Sequence, residues 1–259
     1  RDIMLPRALI WLTFALVTGA PAQVVFDRIS KYNHIRVYDQ RGIRTLSFSG
    51  SQESRMSLTN SLQGHFEYTE YFHMPWLWND RINRVLMIGL GGGSAQRSFL
   101  HYHPDVHIDT AELDPVVVQV ARTYFQLPES THLKIHETDG RVFLRRTTNQ
   151  YDLIVLDAYS SSRYGSFIPY HLATREFFEL AKARLTENGV LAYNVIGTIQ
   201  GWKADTVGTL HRTLQAVFPR VYMFPSTESL NVVLIATKSD QQYTRARLHE
   251  EVQKLAQQK

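Results

Sequence analysis

The run Arg84-Val-Leu-Met-Ile-Gly-Leu-Gly-Gly-Gly-Ser94, followed by Thr110-Ala-Glu-Leu-Asp-Pro115, constrains this chain more than any other feature. An apolar strand runs into a glycine turn, and a carboxylate, Glu112, stands 19 positions after Gly93 at the end of a second apolar strand. In α/β sheets such a glycine turn lets backbone approach a ligand, and a carboxylate at the next strand end accepts hydrogen bonds from ribose hydroxyls. The pattern predicts an adenosine-type ligand. Ser94 replaces the third glycine of the dinucleotide fingerprint, which weakens a nicotinamide reading and suits a sulfonium nucleoside, which has no pyrophosphate to cradle.

From residue 84 onward apolar strands and amphipathic helices alternate. Strands are predicted at 84–89, 107–113, 133–138, 151–157 and 189–195, and helices at about 94–103, 115–125, 140–147, 171–185 and 204–217. Two last strands, 220–225 and 231–237, flank a short turn, and 243–257 reads as a polar helix. Five βα repeats and a terminal hairpin predict an α/β fold with a doubly wound, mostly parallel sheet. Upstream, Ile35-Arg-Val-Tyr38 and Ile43-Arg-Thr-Leu-Ser-Phe48 alternate around a turn at 39–42, which predicts a hairpin. Residues 24–75 as a whole read as β; a polar stretch from Gly50 to Gly64 follows the hairpin, and the aromatic run His65–His73 reads as helical. The domain organisation expected is 1–23 leader, 24–80 small β-rich domain, 81–240 nucleoside-binding domain and 241–259 C-terminal helix.

The leader expectation rests on Met4-Leu-Pro-Arg7, an apolar run from Ala8 to Val17, and small residues at Ala20 and Ala22, the layout of a secretory signal peptide or anchor. Its rivals are a buried N-terminal helix and the tail of a membrane segment. A signal would place the protein in the periplasm, outside the cell or on a membrane; otherwise it is cytoplasmic. The 259 residues carry no cysteine, which excludes disulfides, thiolate metal sites and cysteine nucleophiles. A net charge of +4, with no long basic block, gives nucleic-acid binding no support. Metallohydrolase and serine-hydrolase motifs are absent, so metal hydrolysis and serine hydrolysis have no sequence support.

Ligands of such sheets sit beyond the carboxyl ends of the strands. The polar residues there are the turn Gly89–Ser94, Glu112, Asp114, Asp139, Asp157 and Asn194. Glu112 reads as the ribose binder. Asp114, before Pro115, reads as a helix cap, and Ser94 as another. Asp139-Gly140 opens a helix, so Asp139 reads as an adenine contact or an N-cap. Asp157 is the candidate base or amine clamp, since a carboxylate there can hold a cationic amine and take its proton. Tyr68 and Tyr159 are candidates for the pocket wall, where aromatic faces favour a cation. His171 reads as structural, and His101 and His103 have poor spacing for a shared metal.

These motifs together resemble the spermidine synthase (polyamine aminopropyltransferase) family over about residues 30–237. The likeness lies in the N-terminal hairpin, Gln52, Phe66-Glu-Tyr-Thr-Glu70, Ile88-Gly-Leu-Gly-Gly-Gly93, Ala111-Glu-Leu-Asp114, Thr138-Asp-Gly-Arg141 and Tyr151-Asp-Leu-Ile-Val-Leu-Asp157. The resemblance implies a Rossmann-type fold shared with methyltransferases and a homodimer. It implies decarboxylated S-adenosylmethionine as donor, a small amine such as putrescine as acceptor, and neither a metal nor a permanently bound cofactor. It assigns the donor to Gln52, Gly89, Gly91, Gly93, Glu112, Asp139 and Gly140, catalysis to Asp157, and the acceptor side to Tyr68, Tyr159 and Asn194. The family's pattern is broken at Gly92, where an Asp usually holds the donor amine, at Ser160, where a second acid is usual, at Asn194, usually Gln, and at Phe224, usually Tyr. The Ile168–Phe177 run is similar to a divergent branch often fused to membrane segments.

Three functions are therefore expected to compete: aminopropyl transfer, methyl transfer from intact S-adenosylmethionine, and non-catalytic nucleoside binding, with a nicotinamide dehydrogenase far behind. Gly92 favours methyl transfer slightly, and Gly92→Asp is expected to shift preference toward the decarboxylated donor.

Overall fold

The computed structural model describes residues 21–162, 165–201 and 204–257. Nearly all of the expected leader lies outside them. Among the described residues no helix is long and apolar enough to cross a membrane.

The chain begins with an antiparallel sheet of four strands in sequential order: β1 (Gln23–Ile29), β2 (His34–Gln40), β3 (Ile43–Phe48) and β4 (Ser51–Ser57). A 3₁₀ segment, Glu67–Leu77, leads into the second sheet. There β5 (Arg84–Ile88), α1 (Ser94–Tyr102), β6 (His107–Glu112), α2 (Pro115–Tyr124), β7 (Leu133–Glu137), α3 (Gly140–Arg146) and β8 (Tyr151–Leu156) alternate. A short hairpin, β9 (Ser160–Ser162) and β10 (Gly165–Phe167), precedes α4 (Arg175–Arg184). Then come β11 (Leu185–Ile196), α5 (Ala204–Gln215), β12 (Arg220–Pro225), β13 (Asn231–Thr237) and α6 (Arg245–Gln257).

The large sheet has the order β12-β13-β11-β8-β5-β6-β7. β11, β8, β5, β6 and β7 run parallel, and β13 is inserted antiparallel between β11 and β12. The parallel strands are apolar on both faces because helices cover both. Leu86, Ile88, Ile154 and Leu156 pack with Leu144, Phe177 and Phe178 on one side. Val85, Met87, Leu153 and Val155 pack with Phe72 and Phe99 on the other. A third cluster joins the N-terminal sheet to α2, with Ile35, Val37, Leu46 and Met56 against Val117, Val120 and Phe125. Arg44 reinforces that junction with two bonds to Asp39, 2.8 and 2.7 Å, and one of 2.9 Å to the Tyr124 carbonyl at the end of α2.

Strand order reverses at β5, which pairs with β6 on one side and β8 on the other. Ile88 is level with both Ala111 and Leu156, so Gly89, Glu112 and Asp157 emerge at one rim of the sheet. That crevice is where ligands of open α/β sheets bind.

One expectation is corrected and three are refined. The predicted hairpin forms as the central pair of a four-stranded sheet, whose last strand, β4, lies within the polar stretch Gly50–Gly64. Only Ser54 and Met56 of β4 are buried, so it has almost no apolar alternation to detect. The aromatic run is helical, as expected, in the 3₁₀ form, with Pro75 inside it. The predicted helix 171–185 begins only at Arg175, where Thr174 caps it. The terminal hairpin does form, with β13 rather than β12 against β11.

Candidate active site

A cavity of about 190 Å³ opens at the rim where β5, β6 and β8 end. Gly89, Gly91, Glu112, Asp139, Gly140, Asp157, Tyr68 and Tyr159 all line it. Gly89 must be glycine there: its φ is 102°, and a Cβ would stand 2.2 Å from the Asp157 carbonyl oxygen. This contact lets the β5 turn pass directly under the start of the loop after β8.

Glu112 is held by backbone. Its Oε2 accepts from the Leu90 N–H at 3.0 Å and its Oε1 from the Asp114 N–H at 2.8 Å. Burial raises its carboxyl to about 7, against the lowering effect of those donors. Asp114 caps α2 through the Val116 N–H at 3.0 Å, as expected, and accepts from the Ser30 hydroxyl as well. Asp139 caps α3 through the Val142 N–H at 2.9 Å, and its other oxygen lies 2.7 Å from His171 Nε2. His171 is more than structural filling: it lines the cavity and orients Asp139.

Asp157 sits at the opposite end. Asn194 Nδ2 donates to Oδ1 at 2.9 Å and the Tyr68 hydroxyl to Oδ2 at 3.2 Å. Burial raises the carboxyl to about 6; the two donors lower it, and the charge of Glu53 raises it. Asn194 is itself oriented, since its Oδ1 accepts from Asn231 Nδ2 at 2.9 Å. It is buried and does not line the cavity, so it positions Asp157 rather than meeting a ligand. The Tyr159 hydroxyl donates to the Asn194 carbonyl at 2.6 Å and accepts from the Ile196 N–H at 3.1 Å, which leaves its ring facing the cavity.

Other sequence-based assignments fall outside the cavity. Gln52 is exposed and donates to the Tyr38 hydroxyl at 2.9 Å. The cause is a bulge: Ser47 pairs with Gln52 but Leu46 with Ser54, so Glu53 is an extra residue and Glu53 and Ser54 line the cavity instead. Gly93, with φ of 72°, is the N-cap of α1 and does not line the cavity, so Ser94 is not the cap. Gly92 has no room for a side chain. A Cβ there would lie 2.8 Å from Phe125 Cδ1 and 3.0 Å from Ser54 Cβ, so Gly92→Asp perturbs packing before it can report on the donor.

Five lining residues from the N-terminal sheet went unnoticed in the sequence: Tyr32, Asn33, Phe48, Glu53 and Ser54. They belong to the small sheet and its β1–β2 turn, and nothing in their own spacing points to a site built mainly from the strand ends downstream. Asn33 Oδ1 is buried and has no hydrogen-bond partner among the described residues.

The fold defines an α/β protein of the methyltransferase-like class, with its cavity at the strand ends. The spermine/spermidine synthase domain matches residues 65–245, and the chain belongs to that family. It is 31% identical to a polyamine aminopropyltransferase of Vibrio vulnificus over 245 residues, which cover 91% of this chain and 79% of that one. The spermidine synthase of Thermotoga maritima superposes with a TM-score of 0.69 at 21% identity, covering 85% of this chain and 74% of that one. Human methyltransferase-like protein 13, solved in complex with SAH, gives a TM-score of 0.65 at 25% identity, covering 74% of this chain and 91% of that one.

Proposed function

We propose that the protein transfers the aminopropyl group of decarboxylated S-adenosylmethionine to a small amine such as putrescine and releases methylthioadenosine. Membership of the family and the name of the Vibrio relative support the reaction class. The observation that carries the reading is the pairing of Glu112 and Asp157 at level strand ends in one cavity. They flank β5, so they stand about two strand spacings, roughly 9.5 Å, apart. That span suits a ribose at Glu112 and the reacting tail at Asp157.

In this reading Glu112 accepts from the ribose diol. Asp139, steadied by His171, meets the adenine edge. Gly89, Gly91 and Gly140 let backbone lie against the nucleoside. The rings of Tyr68 and Tyr159 face the sulfonium, an interaction worth about 0.5–2 kcal/mol. The acceptor nitrogen attacks the methylene bonded to sulfur. A C–N bond forms, the C–S bond breaks with its electron pair going to sulfur, and the cation becomes a neutral thioether. Asp157 takes the proton from nitrogen. A carboxylate near 6 is a better base than an ordinary aspartate and is still mostly ionised at neutral pH.

Methyl transfer is the second reading, favoured by the likeness to human methyltransferase-like protein 13. The deciding experiment incubates the protein with each donor and a panel of amines and identifies the nucleoside by mass spectrometry. Amine-dependent methylthioadenosine is expected. S-adenosylhomocysteine would establish methyl transfer, and neither product from folded protein would reject both. Two further expectations, a homodimer and an exported or membrane-attached form, are read by sedimentation and by fractionation of the full-length protein.

A further inference from the structure

We propose that Glu53 is the residue that selects the donor. It favours a sulfonium nucleoside whose tail ends in an ammonium alone over one that also carries a carboxylate. The inference rests on the aminopropyl-transfer reading and adds the basis of its donor specificity.

The bulge in β4 places Glu53 on the cavity wall with Asp157 and Tyr68. Its Oε1 lies 2.7 Å from Ser166 Oγ, and Ser166 Oγ lies 2.8 Å from Ser51 Oγ, so β10 is tied to β4 at this point. The charge of Glu53 reaches Asp157, Tyr68 and Tyr159, each of which it pushes upward. The two carboxylates thus act on one end of the cavity, where a donor held at Glu112 would extend its tail.

An ammonium there is attracted by both carboxylates whichever donor carries it. A tail carboxylate meets two like charges in a site partly withdrawn from water, where screening is weak. Intact S-adenosylmethionine has that group and the decarboxylated donor does not. Gly92 supplies no charge and has no space for one. The discrimination therefore comes from the small sheet rather than from the glycine turn.

Calorimetric titration of the wild type, Glu53→Gln and Glu53→Asp with decarboxylated S-adenosylmethionine, intact S-adenosylmethionine and methylthioadenosine tests this. The wild type should prefer the decarboxylated donor. Glu53→Gln should shrink that preference about tenfold, equivalent to about 1.4 kcal/mol. Methylthioadenosine, which has no charged tail, should bind both equally, and Glu53→Asp, which keeps the charge, should retain most of the preference. An unchanged donor ratio in Glu53→Gln overturns the proposal. So does an equal shift in Glu53→Asp, or an equal loss of all three ligands in both variants, because either result assigns the residue to cavity shape. A wild type with no donor preference also overturns it, while amine-dependent release of methylthioadenosine would still establish the reaction. Conversely, a preference lost in Glu53→Gln without any turnover would sink the reaction and leave donor selection standing.

Discussion

Glu112→Gln should stabilise the ligand-free protein at high pH and destabilise it at low pH. Burial lifts the Glu112 carboxyl from the ordinary 4.5 to about 7, so between those values the folded state holds a proton that the unfolded state has released. Stability is greatest below 4.5 and is lost as pH rises through about 7. At 1.36 kcal/mol per pH unit the full loss is roughly 3 kcal/mol. Glutamine removes that cost. It also replaces one of the two oxygens that face the Leu90 and Asp114 N–H groups with an amide NH₂, which forfeits a hydrogen bond of about 1 kcal/mol. The net is about +2 kcal/mol at pH 8.5, or a Tm higher by roughly 4–8 °C for a chain of this size. At pH 5 most of the proton-linked cost has not yet appeared, so the lost hydrogen bond dominates and the variant should melt below the wild type. Differential scanning fluorimetry across pH 5–8.5, without ligand, reads both limbs. Methylthioadenosine should meanwhile bind the variant about 10- to 100-fold more weakly, since a charged acceptor for two hydroxyls is gone. Parallel melting curves at every pH would refute the buried, proton-holding Glu112, and unchanged nucleoside affinity would refute its role at the ribose.

Two other perturbations act at the far end of the cavity. Asp157→Asn should lower kcat by about 10²–10⁴. Wild-type kcat/KM should rise with pH through about 6 as Asp157 ionises, and that limb should vanish in the variant; a wild-type profile flat from pH 5 to 7.5 would contradict the assignment. Asn194→Ala removes a donor to the ionised form of Asp157, so the limb should move to higher pH and the loss of rate should be greater at pH 6 than at pH 8. Equal losses at both pH values would make Asn194 a packing residue only.

Much of the large sheet can be read from the sequence because its signals are local. Strands such as Val85–Ile88 and Leu153–Leu156 are continuous apolar runs, and the glycine turn and Asp114-Pro115 punctuate the helices between them. Even there, one decision is not local. β12 and β13 read alike as terminal strands, and only packing settles that β13, wholly buried apart from its first residue, takes the inner place. The small sheet is harder. β4 is mostly Ser, Gln, Glu and Arg, and it is a strand because β3 pairs with it, not because of its own pattern.

The same division runs through the candidate site. Its strand-end carboxylates stand where strands of one sheet finish together, so the rule that ligands gather at strand ends finds Glu112, Asp139 and Asp157 directly. The surroundings of Asp157 depend on distant pieces of chain meeting. Asn194 looks like a ligand residue at a strand end, yet a fixed amide chain from Asn231 turns it toward Asp157 instead. Gln52 looks like a site residue by its place in a motif, yet one unpaired residue in β4 turns it outward and brings Glu53 in. A bulge shifts the inward face by one residue without changing composition or length, so alternation read along the strand names the wrong neighbour. Charges missing at Gly92 and Ser160 therefore do not measure how acidic this end of the cavity is. The carboxylate beside Asp157 arrives from a different sheet.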